Sequence, residues 1–331
     1  MMPSPGTKKS ALRIAFLLIA ATVPISAARA EVNYPSRYMT WVVPTAPGAP
    51  SDITMRLLAE AMGQQLKGTI IIQNRPGAGG TIAANVVAKA PHDGYTLMAS
   101  VGDPFISQIA LQKDIPYDPE KDFVYITKLI SSNAAMLAAS SLPANNPREL
   151  VALAKATPNG LSYGSFGAGS FPQIIMETLA RASGARFNAV NYRGSPQALQ
   201  ELVGGDIAVT FGAAAATRLI AEGKVKIIAQ LGESRGLLKD VPTFLESGFT
   251  DDLLRIPLWT GLVGPRGIPE EIVQKIAAAA KHAVNQPNVR QFLIDNSYES
   301  IASTPEEFDH EFRREYSIVP ARIRQMGIEP N

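Results

Sequence analysis

Two series of short apolar runs alternate with helical stretches along this chain, and that alternation limits the fold more than any other feature. MTWVVP at 39–44 reads as a strand, and SDITMRLLAEAMGQQL at 51–66 as a helix with Ser51 or Asp52 at its N-cap. A strand at 69–73, a helix at 81–90 and a strand at 95–100 complete a β-α-β-α-β series. Such a series favours a parallel sheet with helices on both faces. The second series places helices at 147–157, 170–183, 195–203 and 214–222, with strands at 161–165, 187–192, 207–211 and 225–230. An apolar run at 256–263 then precedes helical patterns at 269–286, 289–296 and 304–326. The last has too few core positions to stand alone, so it should pack back on the first domain.

The first thirty residues are expected to leave the folded protein. Lys8, Lys9 and Arg13 form a positive start, an apolar run follows to Ala28, and Ala28-Arg29-Ala30 supplies a small-residue cleavage site. This is the pattern of a secretory signal peptide cut after Ala30, with a run too short to span a bilayer comfortably. The formal net charge of +2 includes Lys8, Lys9, Arg13 and Arg29 and no acid from this segment, so the mature chain is formally −2. That removes the compositional case for a nucleic-acid partner. With no cysteine in the chain, disulfides, thiolate metal sites and cysteine nucleophiles are excluded. About 300 remaining residues suggest two domains.

Three strand-to-helix corners hold the functional interest: Pro44 to Asp52 (PTAPGAPSD), Asn74 to Gly80 (NRPGAGG) and Gly164 to Ser170 (GSFGAGS). In open α/β sheets ligands bind beyond the carboxyl ends of the strands, where helix N-termini offer unpaired N–H groups. Corners short of side chains let backbone approach an anion closely, and they can bind a carboxylate without transforming it. No corner carries the lysine of a P-loop, and a G-x-G-x-x-G fingerprint fails at Ile82 and at Pro172. Gly160-Leu161-Ser162-Tyr163-Gly164 matches G-x-S-x-G, the basis of a rival reading as an exported hydrolase using Ser162. Ser162 begins its strand rather than ending it, however, and reads as an ordinary strand residue. His92, His282 and His310 have no metal-binding spacing, so neither metal nor cofactor is expected. Asp52 reads first as a helix cap, and Arg75 as a fastener of its own loop. Tyr192-Arg193-Gly194-Ser195 repeats the strand–corner–helix arrangement, which puts Tyr192 and Arg193 among the candidates for the cleft wall. Trp259 reads as hinge packing where the chain recrosses between domains.

YPSRYMTWVVPTAPGAPSDITMRLLAEAM, QNRPGAGGTIAANVVAKAPHDGYTLM, LSYGSFGAGSFPQ, VNYRGSPQALQELVGGDI and KDVPTFLESGF follow one another in a familiar order. The chain resembles the periplasmic solute receptors of tripartite tricarboxylate transporters, the Bordetella uptake gene (Bug) family, over nearly all of its mature length. The resemblance implies an α/β, two-lobed periplasmic-binding-protein-like fold. Each lobe is a mostly parallel sheet flanked by helices, with the ligand cleft between them. The implied lobes are 31–132 with 254–331, and 133–253. It further implies a periplasmic monomer that passes a small organic carboxylate to a large and a small integral-membrane subunit. In such receptors the carboxylate is held by backbone amides and waters from two loops. Mapped here, these are Ala46, Pro47, Gly48, Ala49, Ser51 and Asp52, and Ser165, Phe166, Gly167, Ala168, Gly169 and Ser170.

The sequence departs from the family where ligand identity is decided. The first loop has Ala49 for a usual glycine, Gln173 stands where histidine is common, and the wall at Phe211, Gly212, Ala213, Ala214 and Ala215 is apolar. Gly212 and Ala213 join the expected ligand contacts, and a ligand with an apolar or aromatic body is expected over citrate. A receptor fold serving as the input of a signalling protein is the other alternative.

Overall fold

The computed structural model describes residues 1–2, 34–132, 134–167 and 169–327. All but the start of the proposed export segment, its cleavage site, and Ala168 therefore lie outside the described residues. Strand β1 (Met39–Val43) leads into helix α1 (Pro50–Leu66), strand β2 (Ile70–Asn74), helix α2 (Thr81–Ala88) and strand β3 (Thr96–Val101). A short helix α3 (Gln108–Leu111) and the long strand β4 (Phe123–Ser132) follow. The second series is β5 (Ala135–Ala139), α4 (Pro147–Ala156), β6 (Leu161–Ser165), α5 (Phe171–Ser183), β7 (Phe187–Asn191), α6 (Ser195–Gly204), β8 (Val209–Phe211), α7 (Ala213–Ala221) and β9 (Val225–Gln230). The chain then returns through β10 (Leu258–Pro265), α8 (Glu270–Val284), α9 (Pro287–Asp295), β11 (Glu299–Ser300) and α10 (Pro305–Gln325).

Local chemistry accounts for the element ends. Proline at the first turn opens α1, α4, α5, α6, α9 and α10, where a missing N–H costs nothing and φ is already helical. Asn146 caps α4 by accepting from the Glu149 N–H, and Thr304 and Glu307 form a reciprocal capping box on α10. At α1 the sequence points to Ser51 or Asp52 as N-cap. The structure starts the helix one residue earlier, with Ala49 as an extended cap that has no side-chain oxygen. Pro50 causes the difference, because it fixes the first helical φ and disfavours a helical residue before it.

The strands form two mixed sheets. The six-stranded sheet has the order β11-β4-β10-β3-β1-β2, with β1 parallel to β2 and β3, and β10 antiparallel to β3 and β4. The five-stranded sheet has the order β7-β6-β8-β5-β9, with β6 parallel to β7 and β8, and β5 antiparallel to β8 and β9. The parallel part of each sheet is the part carried by the strand–helix rhythm. The antiparallel part comes from strands that pass between sheets: β4 runs almost directly into β5, and β9 leads across to β10. The rhythm assigns nothing between 100 and 147, and both β4 and β5 fall there.

Side chains alternate as pleated strands require. Trp41 and Val43 face a core closed by Leu58 and Met62 of α1, Ile276 and Ala280 of α8, and Leu293 of α9. Val42 faces the opposite core, with Val87 of α2 and Phe308 and Phe312 of α10. In the second sheet Met136 and Ala138 pack with α4 and α5, and Leu137 packs with α6 and α7. Helix α10, whose core stripe is too thin to stand alone, packs on the first sheet through Phe308 and Phe312. Phe312 is fully buried and stacks on Tyr125 with ring centroids 3.9 Å apart. Phe312→Ala should therefore cost about 3–5 kcal/mol of unfolding free energy, measured by denaturant titration.

Candidate functional site

Parallel β-α-β units leave a crevice where successive crossover helices go to opposite sides of a strand. In the first sheet that strand is β1, flanked by β2 and β3, and in the second it is β6, flanked by β7 and β8. Ligands in open α/β sheets bind beyond the carboxyl ends of such strands. The loops that leave β1 and β6 are two of the three corners singled out from the sequence.

After β1, Ala46, Pro47 and Gly48 are exposed, Ala49 and Ser51 are half-buried, and Asp52 is buried. The Asp52 carboxylate accepts from the Gly48 N–H at 2.8 Å, from Arg56 Nε at 3.0 Å and from Asn74 Nδ2 at 2.8 Å. Burial works against its ionisation, but these donors from Arg56, Asn74 and Gly48 prevail and hold its pKa down to about 2. Asp52 thus shapes the loop from beneath, its oxygens already engaged. Asn74 also donates to the Thr45 carbonyl at 2.9 Å, so the start of NRPGAGG ties the end of β2 to the loop after β1. The backbone N–H groups of Ser51 and Asp52, in the first turn of α1, have no intrahelical acceptor.

The glycine corner itself grips protein. A Cβ on Gly79 would meet Gln108 at 2.3 Å, and one on Gly80 would meet Pro104 at 2.6 Å. Gln112 Nε2 donates to the Ala78 carbonyl at 2.8 Å. What QNRPGAGG holds, then, is the segment after β3 that carries α3. The Arg75 side chain is exposed and, among the described residues, bonds to nothing; only its N–H, donating to the Val43 carbonyl at 2.8 Å, fastens the loop.

After β6, the loop satisfies most of its own amides. Phe166 N–H donates to Ser170 Oγ at 3.1 Å, Gly167 N–H to Ser165 Oγ at 3.3 Å, and Gly169 N–H to Gln173 Oε1 at 2.7 Å. Ser170 N–H donates to the Gly167 carbonyl at 3.1 Å. Among the described residues of this loop, the N–H groups of Phe171 and Gln173, in the first turn of α5, have no intrahelical acceptor. Tyr192 is brought alongside, its N–H donating to the Ser165 carbonyl at 2.8 Å and its ring packing in one cluster with Phe166. Gly212 lies at the end of β8, where a Cβ would meet Ser195 Oγ at 2.4 Å, and Ala213 opens α7. The Arg193 side chain is exposed and, among the described residues, only its N–H is engaged, donating to Gln197 Oε1. Ser162 sits near the start of β6, at the far end from this loop. The 370 Å³ hollow beside it has no histidine in its lining.

Among the described residues, two of the cavities border both the segment after β3 and the start of α5. One, of 720 Å³, is walled by Ala78, Gly79, Gln108 and Lys113 on one side and by Phe166, Gly169 and Ser170 on the other. Helix α3 comes within contact range of the loop after β6, since a Cβ on Gly169 would overlap Leu111 at 2.2 Å. The other, of 250 Å³, is largely apolar and lined by Ile106, Ile174, Leu253, Ile256 and Trp259, with Glu315 at its wall. Asp103 and Phe171 border both. A groove of 680 Å³ between α1 and the edge strand β2 lies away from these strand ends. Sequence reasoning missed Asp103, Phe171 and Glu315. Gly102-Asp103-Pro104 follows β3, and the rule that selected the other corners points there too. Nothing local marks Glu315, since α10 is brought to the site by tertiary packing alone.

Trp259 Nε1 donates to Glu315 Oε2 at 2.8 Å. Burial pushes the Glu315 carboxyl up to about 7, against the opposing hydrogen bond from Trp259. A raised carboxyl pKa means the folded state holds a proton that the unfolded state releases, so this group makes stability fall as pH rises from about 4.5 through 7. Glu315→Gln should remove that slope and exceed the parent protein at pH 8 by roughly 2–3 kcal/mol in denaturant titrations. Asp52 works in the opposite sense, contributing stability above pH 4 that is lost as pH falls through about 2. Asp52→Ala should cost about 2 kcal/mol at pH 7, allowing for the half-exposed Arg56 partner, and thermal unfolding across pH checks it.

Residues 54–318 match the tripartite tricarboxylate transporter family receptor. The chain is 32% identical over 297 residues to the UPF0065 protein of the gbd 5' region of Cupriavidus necator, covering 89% of each. Among solved structures, MatC from Rhodopseudomonas palustris with bound malate has a TM-score of 0.73 and 31% identity, covering 88% of this chain and 100% of that one. A second R. palustris protein, solved with adipate, has a TM-score of 0.77 and 26% identity, covering 90% of this chain and 100% of that one.

Proposed function

Because the chain belongs to the tripartite tricarboxylate transporter receptor family, we propose that it captures a small organic carboxylate with an apolar or aromatic body and delivers it to a membrane transporter. One observation carries this reading: the unpaired first-turn amides of α1 and α5 stand at the two points where strand order reverses. Each helix start adds a partial positive charge, which favours an anion without any catalytic side chain. That malate and adipate occupy similar proteins is consistent with such anchoring.

In this reading residues 31–132 with 254–331 form one lobe and 133–253 the other, hinged at the two crossings between sheets. Ser51 and Asp52 contribute backbone N–H groups, with Ala46, Pro47, Gly48 and Ala49 shaping the loop above them. Across the cleft, Ser165 to Ser170 set the wall that presents the Phe171 and Gln173 amides, with Tyr192, Gly212 and Ala213 beside it. Arg193 stays at the rim. The apolar body of the ligand enters the 250 Å³ cavity beneath Trp259. Closure of the lobes removes water from the anion, and the closed form is what the large and small membrane subunits engage. The receptor works as a periplasmic monomer, exported by a signal peptide cut after Ala30, and leaves its ligand chemically unchanged.

Thermal shift with the mature protein tests this. A carboxylate with an apolar body at a hundred times its Kd should add about 2.7 kcal/mol of stability, while its uncharged amide should add nothing. Citrate should stabilise less. Equal shifts from the amide, or tighter binding of citrate, contradict the reading.

A further inference from the structure

We propose that Asp103 is a specificity residue of this cleft and selects a zwitterionic amino acid with an apolar side chain over simple acids and dicarboxylates. The inference rests on the carboxylate-receptor reading and narrows its substrate class.

Position comes first. Asp103 and Phe171 border both the 720 Å³ polar cavity and the 250 Å³ apolar one, so Asp103 stands where a ligand's charged head meets its body. Phe171 contributes one of the two unpaired amides of α5. A carboxylate held there leaves its α-substituent facing Asp103.

Charge comes next. Among the described residues no lysine, arginine or histidine pairs with Asp103. The one side chain bonded to it is neutral, Ser107 Oγ, donating to Oδ1 at 3.3 Å. The other charged groups on these walls are Lys113 and Asp114 in the polar cavity and Glu315 in the apolar one. An unneutralised carboxylate on the wall of an anion site repels a second ligand carboxylate. It offers an ammonium a charge-assisted hydrogen bond.

The apolar cavity sets the remaining requirement. Ile106, Ile174, Leu253, Ile256 and Trp259 offer no charge to a guest side chain. An apolar cavity of about 150 Å³ accepts benzene, so this one has room for a benzyl or isobutyl group.

Isothermal titration of the mature protein tests the assignment with phenylalanine, leucine, alanine, 3-phenylpropanoate, 4-methylpentanoate and phenylsuccinate. Phenylalanine and leucine should bind at least tenfold more tightly than their deamino counterparts and than phenylsuccinate, and alanine should bind more weakly than either. Asp103→Asn should bring the ratio between each amino acid and its deamino partner close to one, while changing the affinity for 3-phenylpropanoate less than threefold. The side-chain size series needs no variant, so it holds even if the substitution impairs folding. Deamino acids or phenylsuccinate binding as tightly as phenylalanine would overturn the role of Asp103 while leaving the receptor reading intact. So would a preference for the ammonium that survives in Asp103→Asn. If none of the six acids binds, both readings fall.

Discussion

A peptide N–H in the first turn of a helix has no carbonyl four residues behind it, and something else must accept its proton. The functional account of this molecule depends on that constraint. It is met differently along the two loops. Around α1, Asp52 reaches back to the Gly48 N–H, while the Ser51 and Asp52 amides have no intrahelical acceptor. Around α5, serine and glutamine side chains take up the loop amides and leave those of Phe171 and Gln173. Both loops leave strands at which the direction of winding reverses, the position at which open α/β sheets bind ligands.

The glycine corner NRPGAGG shows why composition alone misassigns such loops. Its lack of side chains suggests backbone offered to an anion. The close approaches of Gly79 and Gly80 to Gln108 and Pro104 show instead that it seats the segment after β3. That segment carries Asp103 and presses Leu111 against Gly169 of the second loop. Asn74 meanwhile braces the loop after β1. The corner therefore sets the geometry of both neighbours.

Much of the fold was legible because parallel strand–helix units write their period into the sequence. The strands at 39–43, 161–165 and 225–230 and the corners after β1 and β6 could be located from residues alone. The strands β4 and β5 could not, since they join the sheets antiparallel and follow no helix of their own. The same holds for Glu315 and Phe171 as cavity walls. Their places depend on α10 folding back over 170 residues after β4, and on a cleft that exists only between two finished sheets. Asp52 was legible as a polar residue at a helix start, but its function as a buried brace with three donors needed Asn74, a strand away.

The most direct test is a two-dimensional amide NMR titration of the mature protein with an apolar carboxylate. The account predicts that the largest shifts fall on the N–H groups of Ser51, Asp52, Phe171 and Gln173, with smaller ones at Gly79 and Gly80. Shifts that gather instead in the groove between α1 and β2, with these four amides unmoved, would contradict it.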